Sequence, residues 1–390
     1  MAETRKASRF IVPVAVAGVA AATIGLVPAL AASGDPDLPE ITAQQLIEKI
    51  AASDTQTLSG TFKISTDLGL PSFGGLVSGL GGVGGGGGSS ADPSEKLTEL
   101  VSGTHTLRVA ADGPERQKLT LLDGSDEYSL IHNGDDVWAY DSKSKEVFHE
   151  KAPEGAEAPA DKEVPTTPKE LADEVLKAAG DTTSITVGGT AKVAGRDAYQ
   201  LVIKPKQTGS TVESVKIAVD AANGTPLKFT LASVEGGKPV VDAGFTKVDF
   251  ARPAASEFTF KAPEGAKVTE GAAEKAAGES GEEKLPEEFE KGLGELEKGF
   301  GGFAEGLNVI GEGWTTIAKL DTGAPAPKTD EAPKELQGFL DSLGDKVTGT
   351  FGTGTVFKTK LVNALLTDDG RIYVGAVTKD ALVDAANAGK

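Results

Sequence analysis

HTLRVAADGPERQKLTLLDGSDEYSLIHNGDDVWAY, residues 105–140, is the stretch on which the fold turns. His105, Leu107 and Val109 alternate with Thr106 and Arg108, and Leu119 and Leu121 alternate with Lys118 and Thr120. Trp138 and Tyr140 alternate with Val137 and Ala139. A period of two is that of a strand with one buried and one wetted face. Between the runs stand Asp112-Gly113, Asp123-Gly124 and Asn133-Gly134. Such pairs supply the positive φ that tight hairpins need, so the stretch predicts an antiparallel meander.

The pattern continues on both sides. Upstream, ITAQQLIEKIAA places Leu46, Ile47 and Ile50 on one helical stripe, with Thr42 as the N-cap. In LSGTFKIST, Leu58, Gly60, Phe62 and Ile64 point one way. Downstream, Tyr199, Leu201 and Ile203 share a face, as do Val215, Ile217 and Val219, and Leu227, Phe229 and Leu231. Turns are expected at Gly188-Gly189 and Asn223-Gly224. Phe245 followed by Val248 and Phe250 switches parity, which predicts a β-bulge. LADEVLKAA, residues 171–179, reads as a short helix with Pro168 near its first turn. The sum is a mainly β, α+β chain: a meander curling into a sandwich or barrel, with two helical segments available to cover an open face.

The 390 residues divide by composition. Arg5, Lys6 and Arg9 precede an uncharged apolar run that ends in Ala29-Leu30-Ala31. Residues 1–31 therefore read as a secretory signal cut after Ala31, or alternatively as an uncleaved anchor; Pro13 and Pro28 favour cleavage. Either way the remainder is expected outside the cytoplasm, secreted or in the cell envelope. The main unit spans 37–263 and is interrupted by a glycine-rich insert, 69–92, containing the run Gly84–Gly88. An acidic linker, 264–305, follows, rich in Glu and Lys. Residues 306–390 form a small C-terminal α+β domain or extension. There, Leu336, Phe339, Leu340 and Leu343 make a helix stripe, strands near 355–366 and 371–377 flank Asp369-Gly370, and a closing helix starts near Thr378.

Composition also excludes functions. Lys+Arg total 39 against 58 Asp+Glu, a net charge of -19 that repels phosphate backbones, so no nucleic-acid partner is expected. The absence of cysteine excludes disulfides, thiolate metal sites and thiol catalysis. His105, His132 and His149 show neither HExxH nor i, i+4 spacing, and read as structural or surface histidines. No G-x-S-x-G elbow occurs. No catalytic residue, metal ligand or cofactor is expected, and the chain reads as a non-enzyme. What remains is the apolar sheet face, which is either a filled core or the wall of a cavity for an acyl chain.

Four phrases carry a resemblance. HNGDDVWAYDSKSKEVF (132–148), AGRDAYQLVIKPK (194–206), VDAANGTPLKFTL (219–231) and FTFKAPEGAKV (258–268) resemble, in order, phrases of the lipoprotein-carrier superfamily that includes LolA, LolB and the RseB/MucB sensors. The resemblance covers roughly residues 37–268, and the Ala-, Gly- and acid-rich, cysteine-free composition fits a secreted actinobacterial type of member. It implies an unclosed antiparallel β-barrel with helices as a lid, whose apolar cavity takes a lipid or lipoprotein acyl chain. The lining it implies is Trp138, Tyr140, Tyr199, Leu201, Val215, Ile217 and Phe229; alternation adds Phe62, Ile64 and Leu107. The RseB branch implies an alternative role, a regulator that senses envelope lipoproteins and contacts a membrane-anchored anti-sigma factor, with 306–390 as the partner-binding piece. The insert and the acidic linker are departures from the carrier pattern.

Overall fold

The computed structural model describes residues 35–69, 90, 91, 93, 96, 103–151, 173, 176, 177, 179–270, 308–321 and 344–389. The expected signal (1–31), nearly all of the glycine-rich insert, most of the acidic linker and the Leu336–Leu343 helix lie outside the described residues, as does much of the 171–179 helix.

Among the described residues, helix α1 (Ala43–Ala51) comes first and is followed by β1 (Thr57–Thr66), β2 (Gly103–Asp112), β3 (Arg116–Asp123), β4 (Asp126–Asn133), β5 (Asp136–Asp141) and β6 (Glu146–Lys151). A second group comprises β7 (Thr183–Val193), β8 (Arg196–Pro205), β9 (Val212–Asp220), β10 (Pro226–Ser233) and β11 (Val241–Asp249), with β12 (Lys267–Glu270) after it. They form one curved sheet in the order β12-β6-β5-β4-β3-β2-β1-β11-β10-β9-β8-β7. Every neighbouring pair is antiparallel except β12 with β6, and the two ends do not meet, so the sheet is an unclosed barrel.

The sheet follows from local chemistry. Gly113, Gly124, Gly134 and Gly224 all carry positive φ at their turns, as the X-Gly pairs require. The expected bulge lies where β1 meets β11: Thr61 pairs with Lys247 but Phe62 pairs with Phe245. That skipped residue returns Phe245 and Val248 to one face. Gly188-Gly189 corrects the reading as a turn. The pair lies inside β7, at a register shift between Val187 and Thr190, and the chain reverses instead at Ala194-Gly195, both with positive φ. Glycine serves a bulge as readily as a turn, since both need backbone freedom. Strand β12 lies beyond residue 263, in a stretch whose charge reads as linker.

The C-terminal elements are β13 (Asn308–Ile310), β14 (Ile317–Asp321), β15 (Gly344–Gly349), β16 (Gly352–Phe357), β17 (Asn363–Thr367), β18 (Arg371–Gly375) and α2 (Lys379–Ala388). They make a second sheet, β13-β14-β18-β17-β16-β15. The run near 355–366 is two strands rather than one, broken after Phe357, and β17 pairs with β18 across Asp369-Gly370 as expected. Thr378 caps α2, accepting a bond from the Ala381 amide at 3.4 Å. The core here gathers Ile317, Val356, Leu365, Tyr373 and Leu382.

Candidate functional site

Residues directly opposite each other on neighbouring strands share a face. Ile64 lies opposite Ala243, Ala243 opposite Phe229, Phe229 opposite Ile217, and Ile217 opposite Leu201. Val215 lies opposite Leu231 and Ile203, and Tyr199 opposite Val219. Phe62 pairs with Phe245, their rings meeting edge-on with centroids 5.0 Å apart. The face passes from β1 to β2 through Leu58 and Ala111, and Leu107, two pleats on, pairs with Leu121. One apolar face thus brings together Phe62, Ile64, Leu107, Tyr199, Leu201, Val215, Ile217 and Phe229.

Trp138 and Tyr140 are not on it. The face continues from Leu119 to Leu130 and from Leu130 to Ala139, whereas Trp138 lies opposite Ile131, and Tyr140 opposite Ser129. Alternation fixes the period of β5 but not its phase, and the bulkier pair is the natural choice for the inward phase. The two-residue turn at Gly134 sets the register, and it turns alanine inward and the aromatics outward. Val109, Leu119, Leu130 and Phe148 belong to the face and pack against its core; alternation already groups Val109 with Leu107, whereas only the pairing across strands joins the other three to it.

The face is covered unevenly. Leu46 and Ile47 of α1 are buried against Tyr199, Leu201 and Val219. The Tyr199 hydroxyl donates to the Pro39 carbonyl at 3.0 Å, fixing the segment that leads into the helix. At the other end the Tyr128 hydroxyl donates to the Ala91 carbonyl at 3.0 Å, and Lys96 lies 3.4 Å from Asp141. Between these covers, Phe62, Ile64, Leu107, Tyr199 and Leu201 are buried, while Val215, Ile217 and Phe229 are half-buried. The half-buried part of the face thus includes β9 and β10, together with Val109, Leu119, Leu130 and Phe148 on β2, β3, β4 and β6.

The opposite face is chemically different. A half-open cavity of about 380 Å³ lies there between β1–β4 and residues 253–257, lined among others by Arg108, Lys118, Glu127 and Glu257. Four ionisable side chains make it a poor place for a hydrocarbon. Trp138 stacks on His149 with centroids 3.7 Å apart and packs against Phe260 at 5.4 Å. Both imidazole nitrogens of His149 bond to carboxylates, Nδ1 to Glu270 at 2.7 Å and Nε2 to Asp136 at 2.8 Å. Sequence spacing does not show this cluster, because Glu270 reaches it from β12 across 121 residues.

Residues 97–262 match the family model of the MucB/RseB N-terminal domain. No curated protein matches the chain. Among solved structures, a chain of the Pseudomonas aeruginosa MucA/MucB complex is 16% identical, covering 88% of this chain and 96% of that one, with a TM-score of 0.38. A conserved protein of Thermus thermophilus is 12% identical over 58% of this chain and 98% of its own, with a TM-score of 0.31. A LolA superfamily protein of Nitrosomonas europaea is 11% identical over 57% and 99%, with a TM-score of 0.21.

Proposed function

We propose, for a chain that carries the MucB/RseB N-terminal domain over residues 97–262 and with it falls in the LolA/RseB-type superfamily, that the apolar face of the large sheet holds the acyl chain of a lipid or lipoprotein outside the cytoplasm. One observation carries the reading: the unbroken row Ile64–Ala243–Phe229–Ile217–Leu201 crosses five strands of an unclosed sheet, and its middle is only half-buried. An acyl chain laid along that half-buried middle would complete its burial. Burying a sixteen-carbon chain contributes on the order of 10 kcal/mol at about 0.8 kcal/mol per methylene, enough to leave useful affinity after the entropy of association. The lining proposed is Phe62, Ile64, Leu107, Tyr199, Leu201, Val215, Ile217 and Phe229, with Val215, Ile217 and Phe229 at the point of entry. The role is that of a binding protein, not of a catalyst.

The test exploits the two faces. Phe229→Asp puts a charge on the accessible part of the row, and uptake of a fluorescent fatty acid should fall by at least about tenfold. Trp138→Ala, on the other face, should leave uptake within about twofold of the parent. Uptake lost in Trp138→Ala and kept in a folded Phe229→Asp would assign the ligand to the wrong face and end the proposal.

The MucB/RseB domain match also supports a second reading, a regulator that contacts a membrane-anchored anti-sigma factor through the C-terminal sheet. Pull-down from membranes should then recover a single-span partner that is lost when residues 306–390 are deleted. Recovery that survives the deletion contradicts that assignment.

A further inference from the structure

Strand β12 has little to hold it. Among the described residues it is four residues long and pairs in parallel with β6 alone, and it leaves Val268 44% exposed. Parallel ladders are slightly weaker per residue than antiparallel ones. The Lys267–Glu146 ion pair beside it, 2.8 Å, has its lysine 72% exposed and contributes little. The Lys267 amide also donates to the Lys145 carbonyl at 3.1 Å, at the start of the strand, and at its other end Glu270 is held by His149.

We propose that His149 is a protonation-dependent latch that fastens β12, and with it the segment bearing Phe260, to the edge of the large sheet. The geometry requires charge. His149 is 9% exposed and each ring nitrogen faces a carboxylate oxygen, Glu270 from β12 and Asp136 from β5. A neutral imidazole has one N–H and donates to one of them; its other nitrogen would set a lone pair against an anion. Only the imidazolium donates to both. Trp138 stacks at 3.7 Å with an interplanar angle of 14°, which fixes the ring plane and offers a π face to the cation. Lys151, also charged, sits on β6 opposite Asp136 in the ladder. Burial by itself pushes the His149 pKa down, but the hydrogen bonds to Asp136 and Glu270 and their charges outweigh it, so the net displacement is upward.

A pKa raised in the closed state stabilises closure fully below the ordinary imidazole value, about 6.5, and the stabilisation is lost as pH rises through the raised value. The latch therefore holds at acidic pH and loosens as the medium becomes alkaline. Asp136 is 43% and Glu270 69% exposed at the side chain, so added salt weakens the coupling. Release of β12 frees the edge of β6, whose unpaired backbone groups can accept another strand. It also frees Phe260 from Trp138 and Tyr140, now 5.4 and 5.9 Å away by ring centroid. None of this needs a bound lipid.

The experiment is hydrogen exchange on the whole chain from pH 5.5 to 9, corrected for intrinsic exchange, read at the amides of residues 268–270. Protection should fall by about threefold to tenfold through a midpoint above 6.5. His149→Gln should abolish the pH dependence, and Asp136→Asn should move the midpoint down. An NMR titration of the His149 ring in the unaltered protein provides the second readout, with a midpoint above 6.5 expected and a downward movement in 1 M NaCl. Protection that does not change with pH, the same change in a folded His149→Gln, or a His149 midpoint below 6.5 each overturns the latch.

Discussion

Asp220 is 1% exposed and closes the hairpin at Asn223-Gly224. It accepts bonds from the Arg196 guanidinium and from the amides of Ala222 at 2.9 Å and Asn223 at 3.0 Å. Burial raises its pKa, but Arg196 and the two amides outweigh that and hold the carboxyl below its ordinary value. A depressed folded-state pKa contributes stability above about pH 4 that is lost as pH falls through the folded value. Asp220→Ala should cost about 3 kcal/mol in urea unfolding at pH 7, because it strands two amides and a partly buried guanidinium. The difference from the parent should shrink below pH 4. A loss under 1 kcal/mol would mean that Arg196 finds other partners. At this scale the sequence is most informative about period and least about phase. Phe62, Ile64, Leu107, Tyr199, Leu201, Val215, Ile217 and Phe229 are legible as apolar positions because each falls at every second place of its run, most of them beside at least one polar residue. Trp138 and Tyr140 mislead because their size suggests burial, while a turn two residues long decides where they point.

Helix α1 shows how one element is specified. Thr42 Oγ1 accepts from the Gln45 amide at 3.1 Å, and the Gln45 side chain accepts from the Thr42 amide at 2.8 Å, a reciprocal capping box. Thr42→Ala should destabilise the protein by about 1 kcal/mol, measured by denaturant midpoint at constant m-value. The cap is visible in the sequence because its chemistry is local. Strand β1 carries a constraint that is not local. A Cβ on Gly60 would sit 2.3 Å from the Lys247 carbonyl oxygen, across the bulge from Phe245. Gly60→Ala should therefore lower thermal stability by more than the usual surface change, about 2 kcal/mol or more, and disturb the Phe62–Phe245 contact. Alternation counts Gly60 as one more inward position; only the partner strand reveals why no side chain stands there.

Over the whole molecule, the two sheets are joined where β8 leads into β9. The Thr378 amide donates to the Gly209 carbonyl at 2.7 Å, and the Thr211 hydroxyl donates to the Leu361 carbonyl at 2.5 Å. Lys360 pairs with Asp67 at 2.6 Å, and Trp314 Nε1 donates to Thr183 at 2.8 Å. These bonds tie the C-terminal sheet to both strand groups of the large one. Calorimetry should show a single unfolding transition, and two well-separated transitions would contradict the coupling. A double-mutant cycle on Lys360 and Asp67 should give about 0.5–1 kcal/mol, since both groups keep access to water. This joint, and the parallel return of β12, are invisible to periodicity because the partners lie more than a hundred residues apart.

If the apolar face of the unclosed sheet holds an acyl chain, that chain should accompany the protein through purification. Native mass spectrometry of residues 32–390 purified from a bacterial envelope, followed by organic extraction, tests it most directly. The expected result is a complex heavier than the chain by one defined lipid or acyl species, which extraction releases. A bare protein that also takes up no added phospholipid would mean that the face is filled by its own side chains, and would contradict the claim.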